Sequence, residues 1–514
     1  MKTFEWLLIA AVFLIIISLV WPVNRRPRWL HLMPWAALGL GVAHLIVEDF
    51  RWQLEYLYAF TILLFIFMMG NIRRLRSSSF RRRSSPRRWV RRGAVLLGLV
   101  IVGGTVYICY LFPLFDLPQP TGRYAIGTSY MTVVDSTRAD PYTVAYDDFR
   151  QVSLQVWYPA EAASDTKPVP YLSTEAARHM ATFMSLPDYV FSHFASIPTH
   201  AYVDAPVERA GRRFPVILFS PSGFMSACQA LAEELASRGY VFISVGHPHW
   251  NAYYFDDNGA ATSGGADDNY RESLRYELQK ESTEAAKDRL IRARSNAERI
   301  AGQRDLNDAL PMNITDIRDW TADIGVVLDE LTRLAEAGDP LANRINLNEI
   351  GVIGFSKGGC NAGQVCVTEP RVSCGVNLDG FMYGDIADSN LTVPFLFMHS
   401  EPVIPQAYIT QHIYDSADAT AYQVKIWDSR HANFGDVSLY GGVFGLQDNL
   451  GAIDGERCVE IQTTYVAAFF EKHLKSQSAP LLDRQSPAFP EVDLNVHAPA
   501  TGGAPADTAG VTTE

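Results

Sequence analysis

Gly354-Phe355-Ser356-Lys357-Gly358 constrains this chain more than any other stretch. It follows an apolar run, Ile350-Gly351-Val352-Ile353, and opens a segment of small residues with helical character. Strand, sharp turn and helix in that order lift a serine hydroxyl above a sheet edge, within reach of a base and a substrate carbonyl. The flanking glycines let the backbone turn where a Cβ would obstruct it. A serine between two glycines is also an ordinary loop feature, so the neighbouring pattern has to decide between the two.

That pattern begins near Asp116, where apolar β-rich runs start to alternate with helical periodicity. Strands are expected over 152–158, 214–220, 240–245, 349–355, 372–378, 394–399 and 422–427, and helices over 227–238, 316–334 and 456–474. Such alternation predicts a mainly parallel sheet covered by helices on both faces. Residues 116–475 are ample for its core. Within them, 251–310 reads as an insertion whose part from Tyr270 to Gln303 is polar and helical, either a lid or flank to a pocket or a solvated surface helix. From about Ser476 the chain is rich in Pro, Ala, Thr and Gly, which predicts a disordered tail over 476–514.

The first 115 residues are of another kind. They hold 15 basic and 4 acidic residues, against 29 basic and 52 acidic in the remainder. Four apolar stretches, Phe4–Val23, Leu30–Val47, Leu54–Ile72 and Gly93–Phe115, predict about four helices spanning a membrane, the second being short and containing Pro34. The first is a poor signal peptide because a charged loop and further apolar segments follow it. Arg25, Arg26 and Arg28 follow the first stretch, and ten arginines lie between Arg73 and Arg92. Basic loops stay cytoplasmic, so the chain after the fourth span is expected on the non-cytoplasmic side. The arginine run suits anionic lipid headgroups. The acidic remainder would repel phosphate, which excludes nucleic acid as its partner. Five of the six cysteines (Cys228, Cys360, Cys366, Cys374, Cys458) lie in that remainder, a count that fits buried free thiols better than a disulfide framework.

A serine nucleophile needs a base and a carboxylate that holds the base in the right tautomer. Of the downstream histidines, His399 ends an apolar strand, His412 sits on an amphipathic helix, His473 ends the last helix and His497 lies in the tail. His431 alone occupies a loop just past a late strand, so it is the expected base. Two carboxylates end strands after the elbow, Asp379 and Glu401; the glycine after Asp379 favours it, with Glu401 as the alternative acid. Asp428 and Asp436 flank His431 and are expected on local backbone. The backbone N–H groups of Phe224 and Lys357 are the expected oxyanion donors. The Lys357 side chain is expected to face an anionic headgroup or solvent. His247-Pro248-His249 lacks a third ligand at metal-site spacing, so no metal and no cofactor is expected.

These residues resemble the platelet-activating-factor acetylhydrolase family, the plasma and intracellular type II enzymes of the α/β-hydrolase fold. The resemblance runs over roughly 113–472 and is carried by Pro120-Thr121-Gly122-Arg123-Tyr124, Val156-Trp157-Tyr158-Pro159, Leu378-Asp379-Gly380-Phe381-Met382 and His431-Ala432-Asn433-Phe434-Gly435-Asp436. It matches the family's acid and base to Asp379 and His431. The chain departs from the family's pattern at Ser220-Pro221-Ser222-Gly223, at Phe355 before the nucleophile and at Lys357 after it. The resemblance implies calcium-independent hydrolysis of short or oxidised sn-2 acyl esters of phospholipids. A membrane-tethered serine esterase is therefore the expected function. Two alternatives stand beside it, an esterase for small soluble or polyester-type esters and a non-catalytic hydrolase-like membrane scaffold or receptor.

Overall fold

The computed structural model describes residues 1–20, 27–75, 86–140, 148–161, 167–264, 266–401, 406–441 and 449–499. Arg25, Arg26, Arg76, Arg81, Arg82 and Arg83 therefore lie outside the described residues. The chain divides into two compact units. One gathers Met1–Leu117, Pro168–Thr199 and Leu439–Asp448, and the other holds Pro118–Lys167, His200–Ser438 and Asn449–Glu514.

The first unit is helical. Its apolar stretches form α1 (Thr3–Ser18), α2 (Met33–Val47), α3 (Glu55–Leu75) and α4 (Pro86–Leu111). Leu8, Val12 and Ile15 of α1 meet Leu57, Phe60 and Leu64 of α3 in one buried cluster. Gly98 of α4 packs against the side-chain ends of Ile16 and Phe60, which a Cβ there would approach to 2.7 and 2.9 Å. Two segments, over Trp52–Met69 and Arg92–Leu111, are long and apolar enough to cross a membrane. α1 and α2 are not, at 16 and 15 residues. All four apolar stretches are thus helical, and among the described residues two of these helices have the length of a span. The same unit includes α5 (Thr174–Phe183), and Phe115, Tyr171, Phe194 and Tyr440 stack there with centroids 5.0–6.4 Å apart.

The second unit is an α/β-hydrolase fold. Its strands in chain order are β1 (Ala125–Ala139), β2 (Phe149–Ala160), β3 (Ala201–Val203), β4 (Phe214–Ser220), β5 (Val241–Gly246), β6 (Tyr253–Phe255), β7 (Ala261–Ser263), β8 (Ile345–Phe355), β9 (Cys374–Leu378), β10 (Phe395–Ser400), β11 (Ala421–Ile426) and β12 (Val492–His497). Ten of them form one sheet in the order β12-β11-β10-β9-β8-β4-β5-β2-β1-β3. From β5 to β11 the pairing is parallel, and β2 and β12 add antiparallel neighbours. Every residue of β4, Phe-Pro-Val-Ile-Leu-Phe-Ser, is buried, as a strand covered on both faces requires. The chain runs outward from β4 to β5 and then returns to lay β8 on β4's other side. That change of direction opens a crevice at the carboxyl ends of β4 and β8, where ligands of such sheets bind.

The helices are α6 (Gln229–Ser237), α7 (Ala266–Arg292), α8 (Asn296–Ala309), α9 (Pro311–Glu336), α10 (Lys357–Thr368), α11 (Gln406–Asp415), α12 (Val437–Tyr440, which straddles the division) and α13 (Gly455–His473). The polar excursion forms α7 and α8, and α8 is bonded to neighbouring loops and α11. Gln303 donates to the Met382 carbonyl at 2.6 Å, Asn307 to that of Gly384 at 3.0 Å, and Arg299 pairs with Asp415 at 3.2 Å. The expected tail is corrected over 476–499, while 500–514 lie outside the described residues. Residues 492–497 pair with β11 in register, and Leu482 and Val492 are fully buried. Their apolar alternation completes a sheet edge in spite of the Pro- and Ala-rich composition around them. All six cysteines are free and buried.

His399 lies one residue before the end of β10, buried, with its ring stacked on Phe397. Burial pushes its imidazole down to about 4, and the charge of Asp379 offsets this only in part. The folded protein therefore holds it neutral while the unfolded chain protonates near its ordinary value of about 6.5. Its contribution to stability is complete above about pH 6.5 and is lost as pH falls toward 4, on the order of 3 kcal/mol for this one group. Melting temperature should fall on acidification through that window, and His399→Phe should flatten the fall; an unchanged slope would contradict this assignment.

Candidate active site

The elbow is built by its glycines. A Cβ on Gly354 would lie 1.9 Å from the Gly358 carbonyl oxygen, and one on Gly358 would lie 1.8 Å from that of Ser220. Backbone thus packs on backbone, and Ser356 between them is forced to φ 56°, ψ −121°. That left-handed conformation is costly for a side-chain-bearing residue. It is held by the Ser356 N–H bond to the Leu378 carbonyl at 2.9 Å and by the start of α10.

Three strand ends converge on the hydroxyl. His431 Nε2 lies 3.0 Å from Ser356 Oγ, and His431 Nδ1 lies 2.8 Å from Asp379 Oδ2. Asp379 is fully buried, with φ 54°. Its Oδ1 accepts the Ser400 N–H at 2.8 Å and its Oδ2 accepts the Ser400 hydroxyl at 3.0 Å. With these donors on its oxygens, Asp379 is placed to accept the Nδ1–H of His431, which leaves Nε2 to accept from Ser356. The imidazole is 43% exposed, enough for an incoming molecule to reach it. Phe355 stacks on it at 5.0 Å and 24°, fixing the ring plane.

Glu401 does not reach His431. Its carboxylate accepts the Asp428 N–H at 2.9 Å and so shapes the turn that presents the histidine. Asp436 caps α6 by accepting the N–H groups of Gln229 and Ala230 at 2.8 and 3.2 Å, a distant partner rather than the local backbone expected for it. Ser400 and Asn377 escaped the sequence reading. Asn377 clasps Gly380 by two hydrogen bonds of 2.7 and 2.9 Å, fixing the turn after Asp379. No motif marks either residue, since both act through bonds made only after the strands align.

Phe224 lies in the loop leaving β4 and Lys357 is the first residue of α10, where backbone N–H groups have no intrahelical acceptor. Ser220 pairs with Gly354, so the two loops leave neighbouring strand ends in register. The Lys357 side chain departs from both expectations for it. Only 10% exposed, it pairs with Asp316 at 2.9 Å and sits 3.3 Å above the Trp250 ring. The histidines of His247-Pro248-His249 turn to different carboxylates, His247 to Asp323 at 2.9 Å and His249 to Asp140 at 2.8 Å.

This arrangement can draw a proton from Ser356 onto His431 while Asp379 holds the ring. Fold and site define an α/β hydrolase, and sequence comparison specifies it further. The profile of the family described as "Platelet-activating factor acetylhydrolase, isoform II" matches residues 111–483. The chain belongs to that family and is an ester hydrolase by class. It is 25% identical to the platelet-activating factor acetylhydrolase of Canis lupus familiaris over 378 residues, covering 70% of this chain and 77% of that one. Against the Bos taurus enzyme it is 25% identical over 391 residues, covering 70% and 78%. Among solved structures, a ferulic acid esterase from Streptomyces cinnamoneus superposes with a TM-score of 0.57 at 24% identity, covering 74% of this chain and 99% of that one, which shows the shared fold.

The two candidate acids separate by mutation. Asp379→Asn should lower kcat by about 10³- to 10⁴-fold, since the amide favours the wrong imidazole tautomer. Glu401→Gln should cost less than about tenfold, because it alters one bond of the turn. Steady-state ester hydrolysis by both variants checks this; the reverse ranking would reassign the acid.

Proposed function

We propose that this protein is a membrane-tethered serine hydrolase that cleaves short or oxidised sn-2 acyl esters of phospholipids through an acyl-enzyme, with Ser356 as nucleophile, His431 as base and Asp379 as its orienting acid. The observation that carries the reading is the continuous hydrogen-bonded line Asp379–His431–Ser356 at 2.8 and 3.0 Å. Ser356 Oγ attacks the ester carbonyl carbon as its proton passes to His431 Nε2, and the carbonyl π electrons move onto oxygen. The N–H groups of Phe224 and Lys357 receive that oxyanion. The C–O bond to the glycerol oxygen then breaks, and that oxygen takes the proton from His431 as the alcohol departs. Water repeats the sequence on the acyl-enzyme, with His431 again accepting and returning one proton.

Family membership supports the substrate class, since the matching relatives are named as platelet-activating factor acetylhydrolases. Tethering rests on two apolar segments, Trp52–Met69 and Arg92–Leu111, and on their exposed Ile62, Leu63, Ile66, Leu96, Leu97 and Val100, which suit lipid better than water. A tether beside a bilayer would keep a phospholipid's ester within reach of the site. The non-cytoplasmic orientation follows from the basic loops and forms part of the proposal.

Full-length protein in membranes should react with a fluorophosphonate probe and release short acyl chains from phospholipid vesicles. Ser356→Ala should abolish both. Labelling that persists in the mutant, or is absent from wild type, removes the serine-hydrolase reading and favours the scaffold. Labelling with turnover of p-nitrophenyl acetate alone would shift the substrate to small soluble esters.

A further inference from the structure

We propose that Ser220, His247 and Asp323 form a second, buried serine–histidine–aspartate chain that acts as a positioning device, fixing the oxyanion loop relative to the elbow. The proposal rests on the serine-hydrolase reading above. His247 Nε2 lies 2.7 Å from Ser220 Oγ, and His247 Nδ1 lies 2.9 Å from Asp323 Oδ2. The order of atoms is that of the surface site, but exposure is 2%, 0% and 0% for the three residues. No substrate reaches this serine.

The chain has a defined proton direction. Asp323 accepts from Arg150 through Nε at 2.7 Å and Nη2 at 2.8 Å, and from Arg138 Nη2 at 2.7 Å. Burial alone would raise its carboxyl, but the bonds from Arg150 and His247 outweigh that and hold it well below the ordinary carboxylate range. It is ionised and must take the Nδ1 proton of His247. Burial lowers the imidazole against the pull of Asp323, so His247 is neutral and its Nε2 accepts the Ser220 hydroxyl proton. Ser220 Oγ in turn accepts from Asn361 Nδ2 at 3.1 Å, and Asn361 Oδ1 lies 2.8 Å from the Thr321 hydroxyl, whose one proton is shared with the Ile317 carbonyl at 2.8 Å. Donation runs one way from Asn361 on α10 to Ser220 on β4, to His247 just past β5, and on to Asp323 on α9. His247 also lies flat on Trp320 at 4.2 Å and 5°, which fixes its ring plane.

Ser220 is where this chain meets the catalytic apparatus. It is the last residue of β4, directly before the loop carrying Phe224, and its carbonyl packs on Gly358 of the elbow helix. The His247 turn grips the same loop from the other side, since the Ala252 N–H donates to the Gly223 carbonyl at 2.8 Å. A greasy filling of this space would avoid the desolvation of a buried carboxylate and two guanidinium groups. What only the polar chain supplies is a set of fixed bond lengths linking both loops, and oxyanion stabilisation depends on donor placement to fractions of an ångström.

The test uses full-length protein in detergent, with turnover normalised to active sites titrated by a p-nitrophenyl ester burst. Ser220→Ala should lower kcat per titrated site by about 10- to 100-fold with KM within about threefold of wild type. Inhibition by a trifluoromethyl ketone, which Ser356 converts to a tetrahedral oxyanion, should weaken by a similar factor. Ser220→Thr, which keeps the hydroxyl, should recover most of both. A purely structural role would lower the titratable fraction or melting temperature and leave kcat per site and ketone inhibition unchanged; that result overturns the proposal. Should Ser220→Ala fail to fold, Thr321→Val decides on the same readouts. A severalfold parallel loss supports the proposal, and values within twofold of wild type overturn it. Wild-type protein with no titratable site removes the hydrolase reading and this inference together, whereas normal wild-type turnover with an unaffected Ser220→Ala removes this inference alone.

Discussion

The hydrogen bond between Asp379 and His431 joins residues 52 positions apart, and the rest of the site is arranged so that it can form. It needs a fully buried carboxylate, which the two Ser400 donors and the His431 N–H help to stabilise there. It also needs three consecutive parallel strands, β8, β9 and β10, to end at one level, so that Ser356, Asp379 and Ser400 share a rim. The strained φ values of Ser356 and Asp379, 56° and 54°, are the local cost of aiming both side chains across that rim. The sheet's buried pairing overdetermines those turns and keeps them in place.

Helix α9 supports the rim from below through residues of one buried face. Asp316 holds Lys357, Trp320 stacks on His247, and Asp323 anchors Arg150, Arg138 and His247. Asp316, Trp320 and Asp323 recur at four- and three-residue spacing, so one helical stripe reaches both the elbow and the ends of β4 and β5. The site is thus tied to a rigid element at several points.

Much of this was legible in the sequence, because parallel strands buried on both faces read as continuous apolar runs and the chemistry sits just past their ends. Ser356 and His431 stood out for that reason. Asp379 and Glu401 both follow apolar strands, and what separates them in space is the bond of Asp379 to His431 against the reach of the Glu401 carboxylate to Asp428. The link from Arg150 to Asp323 spans 173 residues and has no local pattern to betray it. β12 hid because its partner is a sheet edge and its surroundings are rich in proline and alanine. Lys357 misled because a charged residue beside a serine elbow invites a ligand, whereas Trp250 and Asp316 already enclose it. Apolar composition likewise overstated α1, whose helix closes at Ser18.

The central claim is that the residue 356 oxygen becomes covalently acylated during turnover. Acid-quenching the full-length protein during hydrolysis of a slow acetyl ester, followed by peptide mass mapping, tests it most directly. The account predicts one added acetyl group on the peptide containing Ser356, accumulating when deacylation is slow and missing in a His431→Ala variant. Ester turnover in which that peptide never carries the acyl group, or an acyl group found on another side chain, would contradict it.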